Sequence, residues 1–273
     1  MWSDSNGTVS LLRLCELLDA FDRHQFVLFY QGIFDSRTGR LCSVESLVRW
    51  QHPTQGLVAP GEFIDAITHS GLAHCFTNWV LDQALAQCAA WRRDGLDIGV
   101  SVNVSGIECA HPDLPVTVAA TLERHHLPAH LVTIELTEQS CTAPAGQLLP
   151  VLQGLARLGV RLSMDDFGVG ESSLTRLREL PFDEVKLDRS FVHDLHRNPT
   201  NRHIVAYTNS LARELGLRVI AEGVETLDVL AAVQDLGVEK VQGYLLHRPT
   251  PPTEVPVGAG PPGWIAPPLR LPA

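Results

Sequence analysis

The first part of the chain changes from a helical to a strand-like spacing of its hydrophobic residues. Between residues 10 and 24, leucines recur three or four positions apart, which predicts an amphipathic helix that leads into the domain. Two strand-like runs follow, FVLFYQGIF at 26–34 and LCSVESLVRW at 41–50. Their connection, DSRTGR, is far shorter than the crossover of about a dozen residues that parallel strands need. These two strands are therefore predicted to pair as an antiparallel hairpin.

Beyond the hairpin, short apolar strands alternate regularly with helical stretches. The predicted helices lie near 61–70, 74–94, 113–126, 145–158, 172–179, 201–215 and 226–236. The predicted strands are IGVSVNVS, VTIELTE, RLSMDDFG, EVKLDRS, RVIAEGVE and KVQGYLL. With the hairpin this makes about eight strands, a count at which such alternation favours a TIM-like (β/α)8 barrel. An open sheet of the flavodoxin-like or Rossmann type is the alternative.

Length and composition are those of a single domain. The chain has 273 residues, of which 45% are hydrophobic and 19% are charged. Single barrels run to roughly 250 residues. We assign residues 1–250 to the barrel, with the lead-in helix inside residues 1–25. Residues 251–273 are too rich in proline and glycine for a helix or a central strand, and we expect a disordered tail there.

The charge balance and the cysteines restrict the possible partners and location. The formal net charge is −10 and no run of basic residues occurs, so a nucleic-acid polymer is not an expected partner. The first ten residues do not resemble a secretion signal, and no membrane segment of about 18 apolar residues is present. Six cysteines without a CxxC pair are expected to be reduced thiols of a cytoplasmic protein.

Polar residues interrupt the predicted strands at their C-terminal ends, the face at which barrel enzymes have their active sites. A lone acid in such a place is usually a solvated strand end or a helix cap. Acids from several strands at one rim would repel each other unless a cation lay between them. The residues concerned are Asn103, Glu135, Glu138, Asp165, Asp166, Lys186, Asp188, Glu222, Glu225 and Gln242.

A further acid, Glu45, stands in the middle of an apolar strand, where an unpaired charge would cost several kcal/mol. Carboxylates with one Asn amide suit Mg²⁺ or Mn²⁺ better than zinc, and no HExxH motif competes for a metal. The adjacent Asp165 and Asp166 suggest two metal ions that share ligands. Lys186 at the same rim could orient a water molecule or neutralise developing charge.

Nine sequence motifs in a fixed order resemble the EAL-type cyclic di-GMP phosphodiesterases. They cover about residues 10–250, so the resemblance is much more specific than any one motif. The matching segments are FYQ, VESLVRWQHP, GLVAPGEFI, VNVS, IELTE, MDDFGVGESSL, VKLDRSFV, IAEGVET and VQGYLLHRP. The resemblance implies a barrel whose first strand is antiparallel to the rest, in agreement with the predicted hairpin.

The resemblance also implies hydrolysis of cyclic di-GMP to linear pGpG with two Mg²⁺ or Mn²⁺ ions per site. We expect Ca²⁺ to inhibit, because it accepts looser coordination geometry. The family is expected to form homodimers. By position, the residues implied for the first metal ion are Glu45, Asn103, Glu135 and Asp165. Those implied to bind or support the second are Asp166, Asp188 and Glu222.

Other residues take their implied roles from the same resemblance. The implied catalytic residues are Lys186, which would hold the attacking water, with Glu45, Glu222 and Gln242. The implied substrate contacts are Gln31, Arg49, Asp188 and Glu225. Gln31 should lie opposite Glu45 across the hairpin, with Arg49 further along the same face. Glu138 is expected to anchor the loop that follows Asp166.

The chain departs from the family text at two places. Ser46 replaces the Ala of the Glu-Ala-Leu signature, a change between small residues that should be harmless. The loop 167–173 differs more, because Val169 replaces a hydroxyl residue and Glu171 replaces an aromatic one. This loop leaves open an alternative function, a receptor that binds cyclic di-GMP without hydrolysing it. A pure scaffold is a weaker alternative, since such a domain would be expected to have lost several of the acids.

Overall fold

Eight strands close into a barrel. The computed structural model of the chain describes residues 11–142, 145–170 and 173–257. Its strands are β1 (Phe26–Asp35), β2 (Leu41–His52), β3 (Gly56–Val58), β4 (Gly99–Asn103), β5 (Val132–Thr137), β6 (Arg161–Phe167), β7 (Glu184–Leu187), β8 (Arg218–Ala221) and β9 (Lys240–Val241). The barrel order is β1-β2-β4-β5-β6-β7-β8-β9, with β9 paired back to β1, while β3 extends the edge of β2. The predicted (β/α)8 barrel is confirmed, and the open-sheet alternative is excluded.

The first strand alone runs against its barrel neighbours. β1 is antiparallel to both β2 and β9, whereas the pairs from β2 and β4 through β8 and β9 are parallel. The turn between β1 and β2 is closed by Asp35, whose Oδ1 accepts hydrogen bonds from the N–H groups of Arg37 and Thr38. Gly39 then adopts a φ of 71°, which glycine reaches without steric cost. The predicted hairpin and the reversed first strand are both confirmed.

Helices surround this barrel. They are α1 (Leu11–Asp22), α2 (Ile64–Thr68), α3 (Ala73–Arg93), α4 (Gly106–Cys109), α5 (Leu114–His125), α6 (Ala145–Leu158), α7 (Ser173–Glu179), α8 (Arg189–Val192), α9 (Pro199–Glu214) and α10 (Leu227–Asp235). Side-chain caps stabilise the N-termini of two of these helices. Thr226 Oγ1 accepts a hydrogen bond from Val229 N at the start of α10, and Asn198 Oδ1 accepts one from Asn201 N at the start of α9. Among the described residues, no helix has the length and apolar character required to cross a bilayer.

The single helix predicted near 61–70 is wrong. A 3₁₀ turn at Pro60–Glu62 and the short α2 stand there, separated by Phe63 with φ −140° and ψ −20°. The ring of Phe63 is buried at 2% exposure and packs against Phe26 and Trp50 of the hairpin, at centroid distances of 5.4 and 5.8 Å. This non-local packing overrides the helical spacing at Phe63.

The segment after β9 lies against β1. Thr250 exchanges two backbone hydrogen bonds with Tyr30, at 2.8 and 3.0 Å. Val255 is buried at 5% exposure, so the first residues of the proline-rich stretch pack on the barrel. The remainder of the expected tail, residues 258–273, lies outside the described residues.

Candidate active site

Four carboxylates surround the ammonium group of Lys186 inside the mouth of the barrel. Lys186 belongs to β7 and is 1% exposed. Its Nζ lies 2.7 Å from Glu222 Oε1, 2.9 Å from Glu135 Oε2, 3.1 Å from Glu45 Oε2 and 3.2 Å from Asp165 Oδ1. Because four acids face one ammonium group, this buried cluster has more negative than positive charge when all four acids are ionised.

Strand register brings the acids of β2 and β5 together with the Asn of β4. Glu45 lies beside Ser101 in β4, and Asn103, two residues further along β4, lies beside Glu135 in β5. Since alternate residues of a strand share one face, all three functional side chains point into the barrel. Nδ2 of Asn103 donates a hydrogen bond of 2.7 Å to Oε1 of Glu45, which leaves the amide oxygen as the remaining acceptor.

The serine in the family signature fits the barrel wall. Ser46 is 3% exposed, and its hydroxyl donates a hydrogen bond of 2.7 Å to the backbone oxygen of Ser101. A buried hydroxyl with a partner carries little penalty. The site residue Glu45 therefore keeps its position with Ser46 as its neighbour.

Two glutamines link the reversed strand to the acids. Gln31 is paired with Glu45 in the register of β1 and β2, as the hairpin predicts. Nε2 of Gln242, which follows β9, donates to Glu45 Oε2 at 2.7 Å and to Gln31 Oε1 at 3.1 Å. Both glutamines are buried, so their amides hold one edge of the Glu45 carboxylate in place.

Asp165 and Asp166 both reach the site because β6 is irregular. Consecutive residues of a regular strand point to opposite faces. The register between β6 and β7 shifts between Met164 and Phe167, and Asp166 has a φ of 54°, in the left-handed region. Such a bulge redirects a side chain, and Asp tolerates this backbone better than most residues. Asp166 therefore joins the acids beside Asp165.

The acids form two groups that share Asp165. Carboxylate oxygens of Glu45, Glu135 and Asp165 lie within 4.8 Å of one another, and so do those of Asp165, Asp166 and Glu222. Each group has the spacing of ligands around a metal ion. Asp188, which the sequence also assigned to the second ion, caps α8 through a hydrogen bond of 2.9 Å from Ser190 N.

Burial raises the pKa values of three of these acids. Burial raises the pKa of Glu135 to about 8, in spite of its contact with Lys186. Burial and the charges of Asp165 and Asp188 raise the pKa of Asp166 to about 6. Burial also raises the pKa of Glu222 well above its usual range. These carboxylates would ionise more readily with a cation between them.

The pKa values of Lys186 and Glu45 shift in the direction that favours their charged forms. Burial lowers the pKa of Lys186, but the surrounding acids raise it more, and it ends well above its usual value. Burial raises the pKa of Glu45, but Lys186, Gln242 and Asn103 together lower it further than that. Lys186 is therefore a hydrogen-bond donor and is not a base in this environment.

A buried carboxylate oxygen in the first group of acids could accept a metal ion. Oε1 of Glu135 is buried and has no hydrogen-bond partner among the described residues. Buried polar atoms without partners are rare in proteins and often mark a site for a ligand or ion. The oxygen-only donor set around it suits a hard divalent cation. The described site thus fits a metal ion on its own geometry.

Two cavities meet at Glu45. The smaller, of about 260 Å³, is lined by most of the acids together with Gln31, Lys186, Gln242 and Tyr244. The larger, of about 990 Å³, extends from Glu45, Asn103 and Glu135 to an apolar wall. That wall includes Ile64, Ile67, Phe76, Val80 and Ile107. The charged cluster therefore separates a polar recess from an apolar one.

The remaining residues assigned from the sequence lie around this centre. Glu225 is exposed and lines the smaller cavity beside Asp188. Arg49 is half-buried on β2, and its Nη1 donates a hydrogen bond of 2.8 Å to the backbone oxygen of Val48. The guanidinium group also lies 5.9 Å from the ring centroid of Phe29. Arg49 thus stands at the rim, further from the acids than Gln31.

Glu138 holds the loop that follows β6. Its Oε2 accepts hydrogen bonds of 3.0 Å from the N–H groups of both Gly168 and Gly170. A Cβ atom at Gly170 would lie 2.5 Å from Oε1 of Glu138, so any larger residue would displace that carboxylate or the loop. Val169 projects outward and is 56% exposed, while Glu171 lies outside the described residues.

One residue that contacts the site residue Gln31 was not predicted from the sequence. Nδ1 of His247 accepts a hydrogen bond of 3.0 Å from Gly32 N, and its backbone oxygen accepts one from Gln31 Nε2. The signal available was a histidine shortly after the last predicted strand, in the segment YLLHRP. Nothing in that local text shows that the chain returns to β1.

The fold and site together define a barrel with one reversed strand and a carboxylate-rich centre that could bind metal ions. Residues 14–249 match the sequence model of the EAL domain, and the chain belongs to this family.

Comparisons with curated proteins agree. The bifunctional diguanylate cyclase/cyclic di-GMP phosphodiesterase MucR of Pseudomonas aeruginosa is 39% identical over 250 residues, 91% of this chain and 36% of that protein. The cyclic di-GMP phosphodiesterase PdeR of Escherichia coli is 35% identical over 252 residues, 92% of this chain and 36% of that protein. The chain thus spans about a third of the length of these relatives.

Solved structures show the same fold. The phosphodiesterase PaMucR in complex with c-di-GMP has a TM-score of 0.84 and 38% identity, and the match covers 88% of this chain and 98% of that one. The FimX EAL domain from Pseudomonas aeruginosa, bound to c-di-GMP, has a TM-score of 0.80 and 26% identity, over 87% and 96% of the two chains.

Proposed function

We propose that this chain is a metal-dependent phosphodiesterase that hydrolyses cyclic di-GMP to linear pGpG. The observation that carries the proposal is the cluster of four carboxylates around Lys186, with Asp165 common to two groups of acids. The relatives MucR and PdeR, whose names include cyclic di-GMP phosphodiesterase, support the same substrate.

The donor set favours two Mg²⁺ or Mn²⁺ ions. One would be held by Glu45, Asn103, Glu135 and Asp165, and the other by Asp166, Asp188 and Glu222. The partnerless Oε1 of Glu135 and the raised pKa of its carboxyl support a cation at the first position. Bound divalent cations supply positive charge that stabilises phosphate oxygens and favours ionisation of water. Ca²⁺ would occupy the same oxygens with looser geometry and inhibit.

Lys186 would orient the water molecule that attacks phosphorus. Because its ammonium group stays protonated, it donates a hydrogen bond to the water oxygen and does not remove a proton. The water oxygen forms a new bond to phosphorus, the bond between phosphorus and O3′ breaks, and a proton ends on O3′. Glu45 and Glu222, both in contact with Lys186, are the nearby carboxylates through which that proton can pass.

The two cavities suit a cyclic dinucleotide. Such a substrate has two bases on opposite sides of a ring that contains two phosphates, and Glu45 lies between an apolar and a polar recess. Gln31 and Gln242 line the polar recess beside the acids, and Asp188 and Glu225 form its outer part. Arg49 stands at the rim, where its guanidinium group could reach a phosphate.

Chromatography of the reaction products tests the proposal. Purified protein is incubated with cyclic di-GMP and Mn²⁺ or Mg²⁺, and pGpG is expected to appear. Glu45→Gln serves as the matched inactive variant, because it keeps the side-chain size and removes the charge. If the protein binds cyclic di-GMP and no pGpG forms, the proposed hydrolysis is wrong and the receptor function is favoured.

The family resemblance also supports a homodimer, and light scattering of the same sample would test this oligomeric state.

A further inference from the structure

The reversed strand β1 lacks a full partner on the side away from β2. β9 has two residues and pairs only with Phe34 and Asp35. The edge of β1 nearer the site would therefore expose backbone groups inside the wall of the barrel, where unpaired N–H groups are costly. The chain after β9 returns to cover this edge.

A side chain takes the place of a strand at one position of that edge. Tyr30 pairs with the backbone of Thr250, and Phe34 pairs with Val241 of β9. Between them, the N–H group of Gly32 donates to Nδ1 of the imidazole of His247 at 3.0 Å. The imidazole thus supplies an acceptor where neither segment of backbone reaches.

The protonation state of the ring follows from its partners. Because Nδ1 accepts a hydrogen bond from an amide, the neutral ring carries its proton on Nε2, which lies 3.2 Å from Oγ1 of Thr250. Burial lowers the pKa of His247, which keeps the ring neutral near pH 7. The contact with Gly32 requires this neutral form.

His247 also touches the side chain of Gln31 directly. Its backbone oxygen accepts a hydrogen bond of 3.0 Å from Nε2 of Gln31. Oε1 of Gln31 accepts from Gln242 Nε2, and the same nitrogen donates to Glu45. Four residues therefore form a continuous hydrogen-bonded chain from the covering segment to an acid of the active site.

We propose that His247 is a positioning residue, which aims Gln31 and, through it, Gln242 and Glu45 at the substrate. This inference rests on the proposed function and adds to it a residue outside both cavities and outside the acid cluster. An imidazole that only satisfied the Gly32 N–H would stabilise the fold and leave substrate binding unchanged. An imidazole that positions Gln31 also affects substrate binding, because the direction of the Gln31 side chain follows from the backbone at Gln31 and Gly32.

Two substitutions at one position separate these roles. His247→Asn retains an acceptor oxygen at the place of Nδ1, and His247→Leu retains bulk without an acceptor. We expect His247→Leu to raise KM for cyclic di-GMP about tenfold, the effect of one lost hydrogen bond, with a smaller change in kcat. His247→Asn should stay near wild type. Thr250→Val is the matched control, since it removes the hydroxyl near Nε2 and leaves Nδ1 in place.

A double-mutant cycle shows whether His247 acts through Gln31. In the Gln31→Met background, His247→Leu should add little further loss, because the connection to Gln242 is already broken. Hydrogen exchange of the Gly32 amide, measured by NMR, should accelerate in His247→Leu and stay slow in His247→Asn. This last measurement does not require turnover.

The outcomes are distinguishable. If the wild-type protein neither hydrolyses nor binds cyclic di-GMP, the proposed function fails, and this inference fails with it. If it binds without turnover, the same variants are compared by Kd in calorimetry. If the wild type works and the Leu and Asn variants are equally impaired, or the double-mutant cycle is additive, the positioning role is wrong. If His247→Leu does not fold, His247→Ala replaces it in the double-mutant cycle with Gln31→Met and tests the positioning role.

Discussion

Nζ of Lys186 lies 2.7 Å from Oε1 of Glu222, inside a ring of carboxylates that leaves almost none of the lysine exposed. The chain has only one other lysine, Lys240, which contacts Glu184 at the opposite end of the barrel. Substitution of Lys240 is therefore a matched control for substitution of Lys186. Lys186 contacts four acids and Lys240 contacts Glu184, and only Lys186 belongs to the proposed site.

We expect Lys186→Met to lower kcat by a factor on the order of 10² or more, because the water loses its hydrogen-bond donor. Binding of cyclic di-GMP should remain largely intact. Lys240→Met should destabilise the barrel by about 1–3 kcal/mol, because Glu184 loses one cation and keeps Arg218 at 3.5 Å. It should leave kcat close to wild type. Steady-state kinetics and thermal unfolding of both variants provide the check. Near wild-type kcat in Lys186→Met would refute the assignment of the water.

Removal of metal should abolish hydrolysis. The single ammonium group of Lys186 cannot balance the charge of four carboxylates, so bound metal ions are expected to supply the remaining positive charge. Activity is expected to vanish in excess EDTA, to return with Mg²⁺ or Mn²⁺, and to fall when Ca²⁺ is added. At a Mn²⁺ concentration of 100 Kd, the ion should stabilise the fold by about 2.7 kcal/mol. Glu135→Gln should weaken that stabilisation. Full activity in EDTA would refute the two-metal mechanism.

Stability of the metal-free protein should fall as the pH rises from about 4 to about 8. The pKa values of Asp166 and Glu135 are raised to about 6 and about 8 in the folded chain, above the value near 4 of unfolded carboxyls. The folded state thus binds more protons in this range, so the free energy of unfolding declines with pH. Urea titrations in EDTA measure the slope. Saturating Mn²⁺ should flatten it, and a slope of opposite sign would contradict the assignment.

Asp166→Asn should separate charge from backbone strain. Asn tolerates the left-handed φ of 54° as well as Asp does, so the irregularity in β6 should persist. Loss of a carboxylate with a raised pKa should leave thermal stability equal or higher, while hydrolysis falls strongly. Asp166→Ala, which disfavours positive φ, should lose stability as well as activity. Equal activity of Asp166→Asn and wild type would remove this residue from the site.

Gly170→Ala should loosen the loop after β6, because the new Cβ would lie 2.5 Å from Oε1 of Glu138. Moving that carboxylate breaks its hydrogen bonds to the loop, at a cost of about 1–3 kcal/mol. We expect lower kcat/KM and a lower unfolding midpoint. Gly71→Ala is the control, since a Cβ there has nothing within 4 Å. Identical behaviour of the two variants would show that the contact with Glu138 has no role.

Much of the architecture could be predicted from local patterns. The six residues between the first two predicted strands are too few for a parallel crossover, and that length alone determines the hairpin. Hairpin register then places Gln31 opposite Glu45. Acids at the ends of separate strands indicate a shared site because parallel strands of a barrel end at one face. Each of these conclusions depends on the length of one connection, the spacing of residues along one strand or the direction of a strand. These are local properties of the chain.

Tertiary structure decided what depends on contacts between distant segments. Packing of Phe63 against Phe26 and Trp50 interrupts the helix that local spacing predicts. The register shift between β6 and β7 brings Asp166 to the same side as Asp165, although adjacent residues of a regular strand face apart. His247 meets Gly32 only because β9 is too short to cover β1. Periodicity in a sequence determines which residues share a face of one element, while the neighbouring elements determine register, bulges and the partners of unpaired backbone groups.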